Sequence, residues 1–459
     1  MARTEPARGM RDYLPEDIRR REYVIGVIRR VYERYGFEPL ETPAVENLET
    51  LMGKYGEEGN QLIFKILKRG EHEASGQADL ALRYDLTVPL SRVVAHYQSK
   101  LPRLFKRYQI QPVWRADRPA RGRFREFYQC DVDALGSTSP VIEAEVCAAV
   151  SDALTELGFS DFTIRINHRQ LLASILNVAG IPEPLHGTAL VAVDKLDKIG
   201  PDGVKAEMAT RGIEGEAAGK LLGIFEFLAN DRLGSRSVMA DEAGIAAFEN
   251  IGAIFELAAQ TSAGPRLRLD PSLARGLSYY TGAIFEINVP DLAGSLGGGG
   301  RYDNLVGMFL GQSVPACGFS LGLEPILVVM AERGMFPPTL ATTPADVMMA
   351  VFDTKDTPQA LRVAGLLRQS GLRVLVYRDA DKIGKQIKYA DSLGIPFVAI
   401  LGGNEIEAGT VTVKNLTAQT QTTYDQAAAA GAILEGLKQR GSATWPPDTH
   451  TYLWRAPHQ

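Results

Sequence analysis

The chain has 459 residues, a formal net charge of −5 at pH 7, 45% hydrophobic and 23% charged residues, which suits two or three globular domains with ample core. It contains no apolar run long enough to span a bilayer, and its opening, "MARTEPARGMRDYLPED", lacks the apolar centre of a signal peptide, so neither a membrane span nor export is expected. Cys130, Cys147 and Cys317 show no paired or zinc-like spacing, which points to a reducing, cytoplasmic setting, and the acidic balance confines any nucleic-acid surface to a local basic patch.

Residues 15–35 carry Val24, Val27, Ile28, Val31 and Tyr35 at helical spacing, with Pro15 at a first-turn position and Gly36 as a stop. They predict an amphipathic helix. "FEPLETPAV" (37–45) is extended, because Pro39 and Pro43 exclude helix. "TVPLSRVVAHYQ" (87–98) predicts a helix. "LFKRYQIQPVWR" (104–115) and "FREFYQCDVDAL" (124–135) alternate and are rich in aromatic and β-branched residues, the pattern of an antiparallel hairpin. Residues 141–157 are helical. From about 170 to 262 the chain is rich in Ala, Leu, Glu and Lys and reads as a helical insertion. Strands and glycine turns return over 267–289 and 295–309, then a strand and a helix over 315–334. "MFPPTLATTPA", with Pro337, Pro338 and Pro344, marks a linker at 336–344. Strands at 346–352, 372–379, 396–402 and 409–416 then alternate with helices at 357–371 and 382–394, and a last helix ends near Leu437. This predicts a small α/β domain with a mixed or parallel sheet. The tail, 438–459, has no periodic pattern.

The predicted hairpin tip concentrates charge: Arg115, Arg118, Arg121, Arg123 and Arg125 fall within "RADRPARGRFR". Such a tip is either a solvated, salt-bridged turn or a grip for polyphosphate, since arginine makes planar, bidentate contacts and keeps its charge. Alternation places Arg123, Arg125 and Phe127 on one face, continued by Gln129, Asp131 and Asp133. Polar groups in a row on an otherwise apolar strand are costly to bury, so they read as one site surface. Gly297–Gly300 is either a flexible turn or backbone closely approached by a ligand. It fits neither a dinucleotide fingerprint nor a P-loop. There is no nucleophile elbow, no HExxH and no metal-ligand cluster in the sequence. Arg373, Arg378, Lys382, Lys385 and Lys388 form a basic run that, by itself, reads as a solvated helix face.

Taken in order, "RGMRDYLPED", "ETPAVE", "LRYDLTVPL", "VWRADRPARGRFREFYQCDVD", "VAVDKLDKIGPDGV", "LARGLSYYTGAIFE", "GGGGRYDNLVGMF" and "PACGFSLGLEPI" resemble segments of the class II aminoacyl-tRNA synthetases, and within them the histidyl-tRNA synthetase family. The resemblance runs from residue 8 to about 431. It implies an α+β catalytic domain with an antiparallel sheet over 1–335, carrying the helical insertion, then the linker, a C-terminal α/β anticodon-binding domain at 345–437, and a tail of unassigned role.

The resemblance also implies a reaction. ATP, with Mg²⁺, and L-histidine give histidyl-adenylate, and the histidyl group passes to the 3′ end of tRNA(His). Arg115 and Arg275 are the implied catalytic cations on the α-phosphate. ATP contacts fall on Arg115, Arg123, Phe127 and Arg275. The histidine site is implied at Asp85, Leu86, Thr87, Arg115, Gln129, Asp133, Arg275, Tyr279, Tyr280 and Tyr302. Asp133 takes the imidazole N–H, Tyr280 gives to the other ring nitrogen, and Asp85, Thr87 and Gln129 take the α-ammonium. A homodimer through the segment around Pro43 is implied, with no membrane partner. Ser278 stands where the family has an acid, and Pro325 where the third class motif has arginine; Arg301 is a candidate to compensate. Ala120 stands where some relatives carry a polar base-reading residue. The alternative reading is a paralogue with reduced activation, serving as a regulatory subunit or tRNA sensor.

Overall fold

The computed structural model describes residues 4–70, 75–230, 239, 241–274, 279–337, 340, 343–379 and 381–439. The chain forms two compact units, the first reaching Met335 and the second starting at Phe336, with Leu14–Arg20 grouped with the second.

The first helix, Pro15–Arg34, follows from its caps and its stripe. Glu16 and Asp17 sit in the first turn, Arg34 in the last, and Val24, Val27, Ile28, Val31 and Tyr32 are buried. Gly36, at φ +74°, ends it. The extended stretch beyond it supplies β1 (Glu38–Pro39) and β2 (Val45–Asn47). β2 joins β3 (Lys65–Leu67) and β4 (Ala78–Leu82) in a small sheet of order β2-β4-β3.

The main sheet is built on the hairpin of β5 (Phe105–Trp114) and β6 (Glu126–Leu135). It adds β7 (Thr163–His168), β8 (Leu267–Leu269), β9 (Ala283–Asn288), β10 (Gly297–Arg301) and β11 (Ala316–Gly322). The order is β1-β5-β6-β11-β10-β9-β7-β8. Pairing is antiparallel except at the edges, where β1 with β5 and β7 with β8 run parallel.

Two findings in this sheet's strands differ from the sequence reading. β7 had no strand assigned to it, because its apolar pattern is only Ile164 and Ile166 in six residues. The four glycines are not a turn. They form central strand β10, hydrogen-bonded on both sides. They have no β-propensity of their own, and the neighbouring strands impose the conformation.

Register explains the layers. Residues paired across neighbouring strands share a face. One row runs Tyr108, Val132, Phe319, Gly299, Phe285, Ile166, and the next apolar row runs Ile110, Cys130, Leu321, Gly297, Ile287, Ile164. Helices pack on the strands: Val141–Glu156 on β6 and β11, Leu323–Glu332 on β6, and Glu242–Ala258 on β7. The opposite face carries the polar rows described below. The helices Arg169–Val178, His186–Val193, Leu196–Thr210, Gly215–Asn230 and Glu242–Ala258 share a core containing Leu171, Ile175, Val204, Leu221, Phe225 and Ile251.

The second unit is a mixed sheet of order β13-β12-β14-β15-β16: β12 (Val347–Val351), β13 (Val374–Val376), β14 (Phe397–Leu401), β15 (Thr410–Asn415) and β16 (Thr420–Asp425). The first three are parallel and the last two antiparallel. β16, "TQTTYD", was missed because every residue in it but Tyr424 is exposed, so it has no apolar alternation to read. Arg373 from the basic run is structural, bonded to Asp346 and to the Thr343 carbonyl. Arg378, Lys382, Lys385 and Lys388 are exposed.

A Cβ at Gly299 would lie 2.2 Å from the Gly318 carbonyl oxygen and 2.7 Å from the Phe319 Cα. Because those obstacles are backbone, Gly299→Ala should destabilise the first unit by about 1–3 kcal/mol, read as a lower urea midpoint.

Candidate active site

The polar face of the main sheet forms the floor of a cavity of about 330 Å³, lined by Thr87, Arg115, Phe127, Gln129, Asp131, Asp133, Tyr279, Tyr280, Tyr302 and Ser320, among others. The floor is legible in the register. Asp133 lies between Arg107 and Gly318, Asp131 between Gln109 and Ser320, and Gln129 between Gln111 and Gly322. The glycines make the hollow. A Cβ at Gly318 would sit 1.9 Å from Asp133 Oδ1, and one at Gly300 would come within 2.9 Å of the Tyr280 ring.

Asp133 is buried. Its Oδ1 accepts from the Tyr302 hydroxyl at 2.5 Å, and its Oδ2 lies 2.8 Å from Arg107 Nη2. Burial raises its pKa, with Arg107 and Tyr302 pulling the other way. Asp131 is also buried, 3.9 Å from the same nitrogen, and its carboxyl is pushed up to about 7, first by burial. Gln129 donates to Ser320 Oγ at 2.8 Å, while its Oε1 is buried with no donor among the described residues. That oxygen is an acceptor facing an unmet need.

Arg115 is placed by its own Nε, which donates to the Tyr84 carbonyl at 3.0 Å, and its guanidinium lies 4.4 Å from the Tyr84 ring centre and 5.2 Å from that of Phe127. Thr87 starts the helix Thr87–His96 and reaches the cavity wall. Asp85 and Leu86 are buried just before it and are not on that wall. Asp85 accepts from Tyr55 at 2.9 Å, Tyr279 at 3.1 Å and the Val88 amide at 3.1 Å. It therefore braces Tyr279, and burial raises its pKa.

Of the implied residues, Arg115, Thr87, Phe127, Gln129, Asp133, Tyr279, Tyr280 and Tyr302 converge on one cavity. Arg123 does not line it. Arg123 precedes β6, in a tip closed by pairing of Ala120 with Arg123, and its Nη2 lies 2.9 Å from Asp117. The face shared by Arg123, Arg125 and Phe127 therefore does not exist as strand. Arg125 instead donates to the Asp117 carbonyl at 3.0 Å. Arg121 is paired with Glu332. Arg275 and Ser278 lie outside the described residues.

Arg301 cannot stand in for an arginine at position 325. It pairs with Cys317 on the helix-covered side of β10 and β11, where Nε donates to Glu143 at 2.6 Å. Pro325 is in the first turn of Leu323–Glu332, where its missing N–H breaks no helical bond. The buried Glu324 beside it accepts from the Tyr128 amide at 2.8 Å. Sequence reasoning put Asp131 on the site surface without a contact of its own and did not single out Ser320 or Arg107. The signal was present in the alternation of β5, "FKRYQIQPVW", where Arg107, Gln109 and Gln111 alternate.

Residues 9–326 match the family model described as histidyl-tRNA synthetase, and residues 346–436 match an anticodon binding domain. The chain is 40% identical over 473 residues to the histidine–tRNA ligase of Flavobacterium johnsoniae, covering 94% of this chain and 98% of that one. It is 41% identical to the histidine–tRNA ligase of Christiangramia forsetii, covering 93% and 98%. The crystal structure of histidyl-tRNA synthetase from Nostoc sp. superposes with a TM-score of 0.79 at 31% identity, covering 95% of this chain and 100% of that one.

A carboxyl whose pKa is raised on folding contributes stability at low pH and loses it as pH rises to the folded value. With an ordinary aspartate near 3.9 and Asp131 at about 7, that window is about pH 4 to 7. Asp131→Asn should therefore raise the melting temperature at pH 8, with the gain shrinking towards pH 4. A pH-independent gain would show that Asp131 does not titrate in the fold.

Proposed function

The chain belongs to the histidyl-tRNA synthetase family, and from that premise we propose that it is a histidine–tRNA ligase, activating L-histidine with ATP and transferring it to tRNA(His). The carrying observation is that one cavity brings together a guanidinium beside an aromatic face, Arg115 with Phe127, and a floor of buried acceptors, Gln129, Asp131 and Asp133.

In activation, a histidine carboxylate oxygen attacks the α-phosphorus and pyrophosphate leaves. Negative charge grows on the α-phosphate oxygens, and a fixed cation there lowers the barrier by roughly 3 kcal/mol. Arg115 serves this role, already oriented by the Tyr84 carbonyl, and Arg275 is read as its counterpart. Phe127 offers the adenine a stacking face, and Arg123 is read as a γ-phosphate contact once freed from Asp117. The ammonium is read as donating to Asp85, Thr87 and Gln129 Oε1, with Asp133 accepting the ring N–H and Tyr280 donating to the other ring nitrogen. A site that hydrogen-bonds the ring rejects apolar side chains strongly, because its own buried groups would be left unpaired. A 3′-terminal ribose hydroxyl of the tRNA then attacks the carbonyl carbon and AMP leaves. No three metal-ligating side chains converge among the described residues, so Mg²⁺ is read as arriving on the triphosphate. The second unit is read as the anticodon-binding domain, residues 345–437, with its exposed cations meeting phosphate. The segment around Pro43 is read as a homodimer interface.

The measurement is ATP–pyrophosphate exchange. It should require histidine, and Arg115→Ala should slow it by about 10²–10³. Exchange without histidine, or an unaffected Arg115→Ala, would overturn the assignment.

Pro325 favours a second reading, in which activation is reduced and the protein serves as a regulatory subunit or tRNA sensor. Proline brings neither charge nor donor, and Arg301 is committed elsewhere. Pro325→Arg should raise exchange, mostly through a lower KM for ATP, if this position limits the enzyme. Ordinary turnover in the parent protein, unchanged by the substitution, would remove that reading.

A further inference from the structure

Arg107 belongs to no substrate-binding role above, yet it is 0% exposed and faces the cavity floor from the next strand. A fully buried guanidinium is expensive unless its donors are used. Here Nη2 reaches Asp133 at 2.8 Å, Asp131 at 3.9 Å and the Leu86 carbonyl at 3.4 Å, while Nε and Nη1 have no hydrogen-bond partner among the described residues. The side chain therefore serves charge more than hydrogen bonding.

We propose that Arg107 is a positioning residue for recognition of the substrate ring: it touches no substrate, but its charge keeps Asp133 an ionised acceptor and leaves Asp131 as the member of the pair that carries a proton. This rests on the reading of Asp133 as the acceptor of the imidazole N–H.

Geometry supports the division. Asp133 holds the close ionic contact with Arg107 and accepts from the Tyr302 hydroxyl, although among the described residues its Oδ2 has no hydrogen-bond donor of suitable geometry. Asp131 stands further off, and its cross-strand neighbour Gln109 gives it nothing, because the Gln109 amide donates to Thr42 at 2.9 Å and Gln111 at 2.6 Å. Asp131 keeps only Gln129, at 3.5 Å, and Ser320.

The other groups facing the pair do not replace Arg107. Asp85, before the helix Thr87–His96, raises both carboxyls. Tyr280 beside β9, Tyr32 from the first helix and Cys317 on β11 are held protonated by burial. Arg115 acts on Asp85, and Arg83, held by the carbonyls of Thr42, Pro43 and Pro112, is felt by Asp131 and not by Asp133. With burial raising both carboxyls, loss of the guanidinium would let Asp133 take up the proton, and a protonated carboxyl competes with the ring N–H as donor.

The first test is infrared difference spectroscopy of the full chain. A carbonyl stretch of a buried protonated carboxylic acid should be present at pH 6 and gone at pH 8.5. It should vanish in Asp131→Asn and survive in Asp133→Asn. Loss in Asp133→Asn alone overturns the proposal.

The second is exchange kinetics over the same range. Arg107→Met should raise the KM for histidine about tenfold at pH 6, corresponding to about one pH unit of displaced ionisation, and recover at pH 8.5. Its kcat at saturating histidine and its KM for ATP should stay within about twofold of the parent. Adding Asp131→Asn should move the acid limb of Arg107→Met back to lower pH, since a neutral neighbour no longer shares the proton or repels the charge. Arg107→Lys should rescue. A loss equal at every pH, or one shared by ATP, marks a merely structural residue and overturns the proposal. If Asp133→Asn leaves the KM for histidine unchanged, the reading of Asp133 itself falls and takes the inference with it. Should Arg107→Met fail to fold, the spectroscopic test stands alone.

Discussion

Two carboxylates taken out of water on a single face of β6 are the constraint around which the catalytic unit is arranged. Ionised groups are not buried without compensation, and each neighbouring strand answers. β5 supplies the guanidinium of Arg107 opposite Asp133. β11 supplies Gly318, whose missing Cβ leaves room for the Asp133 oxygen, and then the hydroxyl of Ser320. β10 supplies glycines, so no side chain fills the space above. The chain after β10 returns Tyr302 to donate to Asp133. The same strands present an apolar row on alternate positions, so the face that makes the site and the face that makes the core are fixed by one register. A slip of one residue would exchange them.

Charge is handled differently at the hairpin tip. Arg121, Arg123 and Arg125 are satisfied by Glu332, Asp117 and the Asp117 carbonyl. Exposed pairs of this kind contribute little to stability. Their weakness is useful, because a polyanion can compete for the guanidinium groups at small cost. Arg115, at the foot of the tip, is held by a backbone carbonyl and two rings and does not need to be released to act. The tip thus holds one preset cation and several exchangeable ones.

The first helix and the hairpin were legible because their apolar spacing is regular and their ends carry proline, glycine or charge. The floor residues Gln129, Asp131 and Asp133 were legible because period two is strict within β6. What was not legible depends on partners distant in sequence. Gly297–Gly300 is a strand only because β9 and β11 flank it. Asp85 reads as a substrate acceptor from its motif alone, and nothing in the sequence shows that Tyr55 and Tyr279 also donate to its oxygens. Arg123 reads as part of a strand face until Asp117 is seen to hold it outside the strand.

Position 325 shows how little the fold constrains the chemistry there. Proline is sterically comfortable: it starts a helix, and a Cβ on Gly122 of the hairpin tip would come no nearer than 3.8 Å to its Cα. The carboxylate of Glu324 still ties that helix to the Tyr128 amide of β6, so the backbone bearing Phe127 keeps its place whatever residue follows. On the proposed reading, binding of the amino acid draws on β6 and the Thr87 segment, neither of which is built on the side chain at 325. On the same reading, a replacement at this point acts on the nucleotide half of the cavity and leaves the amino-acid half as built. The two halves so read share Arg115 alone among the implied contacts that line the cavity, so a loss confined to the nucleotide side would leave recognition of the ring as built.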